Sequence, residues 1–230
     1  MKTNDIKTYL VAGLMSGLLY SPLASAGESN TAPPDRISLF KVPLQCPAAP
    51  QIGCGSAAKP ILLQLERERG VIEAWLDRAG TRIAVVWKPE SDAENRRNVA
   101  AKLKQNDAME IQGKSRDEAL KDFFSGKGWY RGADVDRLSE EEAGIIAARW
   151  VQRVKARTTL PKEKAETLRR VLADAIARRT TDDKFTPDKD TVLKLEGELP
   201  QVAGQYLDKD QIPIFKEAIA GGWGPLPNEK

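Results

Sequence analysis

The residues best suited to bind a soft metal ion in this chain of 230 residues are its two cysteines, Cys46 and Cys54. They are separated by the seven-residue segment PAAPQIG, a loop that can fold back and bring the two sulfurs together. Two thiolates suffice for near-linear coordination of Cu(I) or Hg(II), because these soft ions prefer sulfur to oxygen ligands. The spacing therefore predicts a metal site made of Cys46 and Cys54, with copper(I) or mercury(II) as the bound ion.

A disulfide between the same two cysteines is the alternative. Outside the cytosol, neighbouring thiols are commonly oxidised. Closing a loop of this size would stabilise the fold by roughly 2–3 kcal/mol in the chain-entropy account. The sequence leaves open a Cys46–Cys54 disulfide, a metal-binding or redox-active dithiol, and two independent free thiols.

The chain contains no histidine. This excludes Ser/His and Cys/His nucleophilic catalysis and any zinc or copper site that depends on imidazole. The acidic run Ser139 to Glu142 is typical of the first turn of a helix, where the helix dipole favours negative charge. Because no other catalytic constellation is present, we predict that the protein is not an enzyme.

The N-terminal residues 1–26 are typical of a cleaved signal peptide. Lys2 and Lys7 precede a short apolar run, and Ala24 and Ala26 form a small-residue cleavage signature. We therefore expect a periplasmic or secreted protein with no integral membrane segment after cleavage. Removing Lys2, Lys7 and Asp5 changes the formal charge from +3 to +2, which is too balanced to indicate a nucleic-acid partner.

Three further regions follow the predicted signal peptide. Residues 27–35 are polar and contain prolines, which indicates a flexible leader. Residues 36–113 show apolar patterns in the order β-α-β-β-α-β, with a hairpin turn at Gly80. This order predicts an α+β protein whose N-terminal domain is ferredoxin-like, with two helices on one face of an antiparallel sheet. Residues 114–230 are charged and rich in alanine, and they predict an α-helical C-terminal region.

The segment GCGSAAKPI, which begins at Gly53, resembles the metal loop of heavy-metal-associated domains. These domains occur in copper chaperones, in the N-termini of copper pumps and in the periplasmic mercury-binding protein. The resemblance spans about residues 36–112 and places Cys54 at the first ligand position. Ala57 occupies the second position, so the resemblance implies that Cys46 supplies the missing thiolate. A helix N-terminus at Cys54 is expected to favour thiolate over thiol.

The helical region has a second, weaker resemblance. Helix openings such as LDKDQ resemble the Leu-Thr-x-x-Gln openings of periplasmic stress and metal-responsive proteins, and Leu207 and Gln211 match the two outer positions. We expect this region to bind an envelope protein partner or to cover the cysteine site. The terminal segment WGPLPNEK is expected to fray.

These observations predict an exported, non-catalytic protein that binds or handles a soft metal ion. The alternative is a periplasmic interaction or structural module, in which the two cysteines form a disulfide and no metal is bound.

Overall fold

The structure is a computed structural model that describes residues 32–227, apart from the side chain of Ala133. The predicted signal peptide at residues 1–26 and residues 27–31 of the predicted leader lie outside the described residues. The remainder of that leader begins with Ala32, which is buried against the sheet, and enters a single 3-10 turn at Pro34–Arg36.

Five antiparallel strands form one sheet in the order β4-β1-β3-β2-β5. Their bounds are β1 Ile37–Lys41, β2 Val71–Asp77, β3 Arg82–Trp87, β4 Met109–Glu110 and β5 Trp129–Arg131. The central strand β3 is apolar at every position after Arg82, and all of these side chains are buried. A continuous apolar run of this kind is typical of a strand that is covered on both faces.

Helices cover the two faces of the sheet. Helices α1 (Gly55–Glu66) and α2 (Ala93–Lys104) pack on the face that contains Ile83, Val85 and Trp87 of β3. Helix α3 (Gly113–Phe124) packs on the opposite face, against Ala84 and Val86. The two sets of β3 side chains point to opposite faces because successive residues of a strand alternate.

Four further helices make the rest of the described chain. They are α4 (Asp136–Lys155), α5 (Lys162–Thr180), α6 (Lys189–Ala203) and α7 (Gln211–Ala220). Trp150 of α4, Leu168 and Leu172 of α5, Leu199 of α6 and Phe215 of α7 are fully or almost fully buried in their common core. Within residues 32–227, no helix has both the length and the apolar content needed to cross a bilayer.

The prediction of a ferredoxin-like βαββαβ N-terminal domain is wrong. The sheet has five strands, and β5 comes from the part of the chain that was assigned to the helical region. The prediction also placed helices on one face only, which would have left Ile37, Leu39 and Val86 exposed. In the structure α3 buries these side chains, since a sheet with two apolar faces must cover both of them.

The helical part is also joined directly to the start of α1. Lys59 of α1 donates to the Asp136 carboxylate at 2.9 Å and to the backbone carbonyl oxygen of Thr181 at 3.1 Å. Cys46 and Cys54 belong to the same apolar cluster as Trp150 and Phe215. The cysteine loop therefore lies in the core of the helical part and not at the exposed end of an independent domain.

Candidate functional site

The chain between Leu44 and Cys54 folds back as a small hairpin. Gln45 and Gly53 form an antiparallel bridge. The amide of Cys46 donates to the carbonyl of Ile52 at 2.9 Å, and the amide of Cys54 donates to the carbonyl of Leu44 at 2.8 Å. With this pairing Cys46 and Cys54 are diagonal neighbours on one face of the hairpin, because residues on either side of a bridged pair point the same way.

The hairpin is held against the turn between β2 and β3. The Gly53 amide donates to the carbonyl of Arg78 at 2.7 Å, and the Leu44 amide donates to the carbonyl of Gly80 at 2.9 Å. Gly80 has a positive φ, a left-handed conformation that glycine adopts without steric cost. The turn is itself fixed by Asp77, whose carboxylate accepts from the amide and hydroxyl of Thr81 at 2.7 and 2.8 Å. The position of the cysteines thus depends on the geometry of this turn.

Both cysteines are free thiols and both are buried, with exposed fractions of 1% for Cys46 and 8% for Cys54. The Cys46 sulfur accepts a hydrogen bond from the amide of Ala49 at 3.2 Å. Cys54 is the N-cap residue of α1, and its sulfur lies 3.4 Å from the hydroxyl oxygen of Ser56. The two thiols are therefore largely shielded from solvent.

Glu142 of α4 completes the surroundings of the thiols. Its carboxylate is buried and lies close enough to Cys46 to interact electrostatically with the thiol. The Oε2 atom of Glu142 and the neighbouring Oγ of Ser139 are buried and have no hydrogen-bond partner in the structure. Helix α4 approaches this closely because residue 55 is glycine: a Cβ there would lie 2.4 Å from the Ser139 Oγ.

The sequence interpretation missed Glu142, which was treated as a helix-capping charge. The spacing of Glu142 relative to apolar residues of α4 could have indicated that its side chain is buried. Glu142, Ile146 and Trp150 are spaced four residues apart on α4, and residues with this spacing share one face of a helix. An acidic residue in line with two buried apolar side chains is therefore predicted to point into the core.

Burial raises the pKa of both thiols above their usual range, and the nearby Glu142 carboxylate raises it further. For Cys54 the hydrogen bond from Ser56 and the backbone amides at the start of α1 lower the pKa, but burial dominates. The helix N-terminus does favour the thiolate of Cys54, but the net shift is upward because the cost of burying a charge exceeds the stabilisation available from the helix start.

Burial also raises the pKa of Glu142 above its ordinary value of 4.5, while the interaction with Cys46 acts in the opposite direction. The folded protein therefore keeps a proton that the unfolded chain has already lost, and its stability falls as pH rises above about 4.5 until the folded pKa is passed. For a single group this slope cannot exceed about 1.4 kcal/mol per pH unit.

We expect Glu142→Gln to remove this contribution, because glutamine stays neutral at every pH. The free energy of unfolding in urea, measured from pH 4 to pH 8, should decline less for the variant than for the wild type. Glu140→Gln is the matched control, since Glu140 is exposed in the same helical turn. Parallel pH profiles for Glu142→Gln and the wild type would contradict this account of Glu142.

The donor set limits which ions this site fits. Within the described part of the chain, no group of three or more aspartate, glutamate, cysteine or histidine residues is arranged to hold a metal. A structural zinc ion takes four ligands, so the residues present do not fit it. A soft ion that accepts two ligands needs no more sulfur donors than Cys46 and Cys54 supply.

Comparisons of the chain with protein-family models, with curated proteins and with solved structures found no match. The heavy-metal-associated resemblance consequently rests on the residues of the cysteine loop, and the function must be argued from the site.

Proposed function

We propose that this protein binds or handles a soft metal ion, copper(I) or mercury(II), through Cys46 and Cys54, and that it does so without catalysing a reaction. The observation that supports the proposal is the hairpin pairing, which directs two free thiols to the same face at the start of a helix. The resemblance of the loop to heavy-metal-associated domains agrees with this assignment of the ligands.

The surroundings of the two sulfurs have a clear consequence for binding. Thiolates bind metals and thiols do not, so loading the site releases a proton from each cysteine. Because burial raises the pKa of Cys46 and Cys54, protons compete strongly with the metal at neutral pH. We therefore expect the affinity of the two cysteines for the metal ion to increase with pH.

The proposed setting is the periplasm or the extracellular space, as the N-terminal sequence indicates. In that setting the helices α5 to α7 would offer a surface to an envelope protein partner. Met109 and Leu193 are the large apolar side chains exposed in the described chain, so such a surface would be mainly polar and charged.

A second candidate is an interaction or structural module that binds no metal. It is favoured by the position of both cysteines inside the apolar cluster of the helical part, where buried thiols pack as small apolar side chains. A Cys46–Cys54 disulfide formed on oxidation would belong to the same candidate. Under this proposal, replacing either cysteine lowers the stability of the protein and changes nothing else.

Metal titration separates the two candidates. We expect the reduced protein to bind one Cu(I) or Hg(II) ion per chain in competition with a chelator, and either Cys46→Ser or Cys54→Ser to abolish that stoichiometric binding. Ser56→Ala is the control, because it alters a neighbour of Cys54 and leaves both sulfurs in place. If the reduced wild type binds no ion tightly, or if the serine variants bind as well as the wild type, the metal proposal is wrong.

A further inference from the structure

The chain that follows α7 crosses α4 and reaches the cysteine loop. We call residues 221–226 the C-terminal latch. It begins at the glycine pair after Ala220, where Gly222 takes a left-handed conformation with a positive φ and turns the chain out of the helix. The sequence predicted a frayed end at Trp223, but the structure shows this part of the chain held by side chains of α4.

Two arginines of α4 bind the backbone of the latch. Arg153 is buried, and its guanidinium donates to the carbonyl oxygens of Gly222 at 2.6 Å and Gly224 at 2.7 Å. Arg149 donates from one nitrogen to the carbonyl of Trp223 and also to the carbonyl of Ala48 at 3.1 Å. Arg149 therefore connects the latch to the loop between the two cysteines.

The side chain of Trp223 adds an apolar contact to these hydrogen bonds. Its ring packs edge-on against Trp150, with the centroids 5.9 Å apart and the ring planes at 87°. Its indole nitrogen donates to the Glu196 carboxylate at 2.6 Å. The next residue, Gly224, approaches the loop itself, since a Cβ at that position would lie 3.6 Å from the carbonyl oxygen of Pro47.

The cysteine loop has few bonds of its own. Within residues 46–52 the backbone hydrogen bonds are Cys46 to Ile52, Ala49 to Cys46 and Ile52 to Ala49. Ala48, Ala49 and Ile52 of this loop are also buried in the apolar cluster of the helical part, so opening the loop requires the release of every restraint from the elements that cover it. The latch and Arg149 supply such a restraint, because Ala48 cannot move outward without losing its bond to the guanidinium.

We propose that the C-terminal latch keeps the cysteine loop closed, so that thiophilic metal ions and other thiol-reactive ligands reach Cys46 and Cys54 only when the latch lifts. The latch controls access and supplies no ligand itself. This role does not depend on metal binding, since any small electrophile that reacts with thiols must pass the same restraint.

The rate of thiol labelling tests the proposal on the full-length reduced protein under native conditions. We use an aromatic disulfide reagent and compare the wild type with Arg149→Met and Trp223→Ala. Each charge-assisted hydrogen bond stabilises a contact enough that its loss should raise the labelling rate by about tenfold or more. Leu193→Ala is the control, because it shortens an exposed apolar side chain on α6 and should leave the rate unchanged.

The free energy of unfolding of each variant, measured in urea, separates latch opening from global unfolding. The proposal requires the wild type to be labelled faster than its global unfolding allows, with a rate that depends only weakly on low concentrations of urea, and it requires Arg149→Met and Trp223→Ala to be non-additive when combined. If Trp223→Ala does not fold, Arg149→Met still decides, because it removes the bond to the cysteine loop and leaves the packing of Trp223 on Trp150 in place. Unchanged labelling of Arg149→Met, or labelling of the wild type that is no faster than global unfolding allows, overturns the proposal.

Discussion

Gly80→Ala is expected to destabilise the protein by about 2–5 kcal/mol, as the sum of left-handed backbone strain and overpacking. Residue 80 has a φ of +69°, and a Cβ there would lie 2.4 Å from the Leu44 carbonyl oxygen and 2.5 Å from the Gly53 Cα. These atoms belong to the backbone of the cysteine hairpin, so a flexible side chain cannot relieve the clash. The hairpin would have to move away from the β2–β3 turn, and the cysteines would move with it.

Substitutions at two other glycines distinguish the contribution of backbone strain from that of overpacking. Gly113 also has a positive φ, but there is open space around its Cβ position. Gly113→Ala should therefore cost only the backbone strain, on the order of 1 kcal/mol. Gly144 lies inside α4 with no atom near its Cβ position. Gly144→Ala should stabilise the helix by about 0.5–1 kcal/mol.

Urea unfolding followed by far-UV circular dichroism measures all three glycine variants. The cost of Gly80→Ala should be the largest of the three, because only this substitution combines strain with a backbone clash. A Gly80→Ala cost no greater than that of Gly113→Ala would show that the hairpin is not packed against the turn as described.

Trp150→Ala is expected to cost about 3–5 kcal/mol, the range for truncating a fully buried aromatic side chain. Trp150 has no exposed surface and lies in the core shared by α4, α5, α6 and α7. Its indole nitrogen also donates to the carbonyl of Gly222 at 3.1 Å, and its ring supports Trp223. The truncation would therefore leave a cavity in the helical core and loosen the C-terminal latch at the same time.

Trp150→Phe is the matched control for this prediction. Phenylalanine keeps an aromatic ring beside Trp223 and loses the N–H group and part of the volume. The Gly222 carbonyl keeps its hydrogen bond from Arg153, so no acceptor becomes unpaired. We expect a cost below about 3 kcal/mol for this partial truncation, measured by chemical unfolding. Similar losses for Trp150→Phe and Trp150→Ala would show that the indole N–H, rather than the packing of the ring, stabilises the fold.

Local patterns predicted the elements near the cysteines correctly. The apolar patterns of residues 36–113 predicted α1, and the hairpin turn at Gly80 predicted the pairing of β2 with β3. These predictions succeeded because helix and hairpin formation depend on residues that are close in the sequence. The same patterns could not predict β5, because WYR is too short to show a period and becomes a strand only by pairing with β2.

In the candidate site, too, the sequence predicted the local features and did not predict the long-range contacts. The sequence identified Cys46 and Cys54 as the only sulfur donors besides methionine, and it indicated that Cys54 lies at a helix start. It did not indicate that Glu142 and the latch lie beside them, since Glu142 belongs to α4 and the latch follows α7, both far along the chain from the cysteine loop.

By itself, the sequence determined which chemistry is available to this protein. The absence of histidine and the presence of two closely spaced cysteines can be read directly from the sequence, and they are the basis of the predicted thiol site. Only the tertiary structure decided the environment of those thiols. Packing of α1 against α4 buries them beside Glu142 and raises the pKa of each. Burial and charge proximity are properties of long-range contacts, which a local pattern of residue types does not contain.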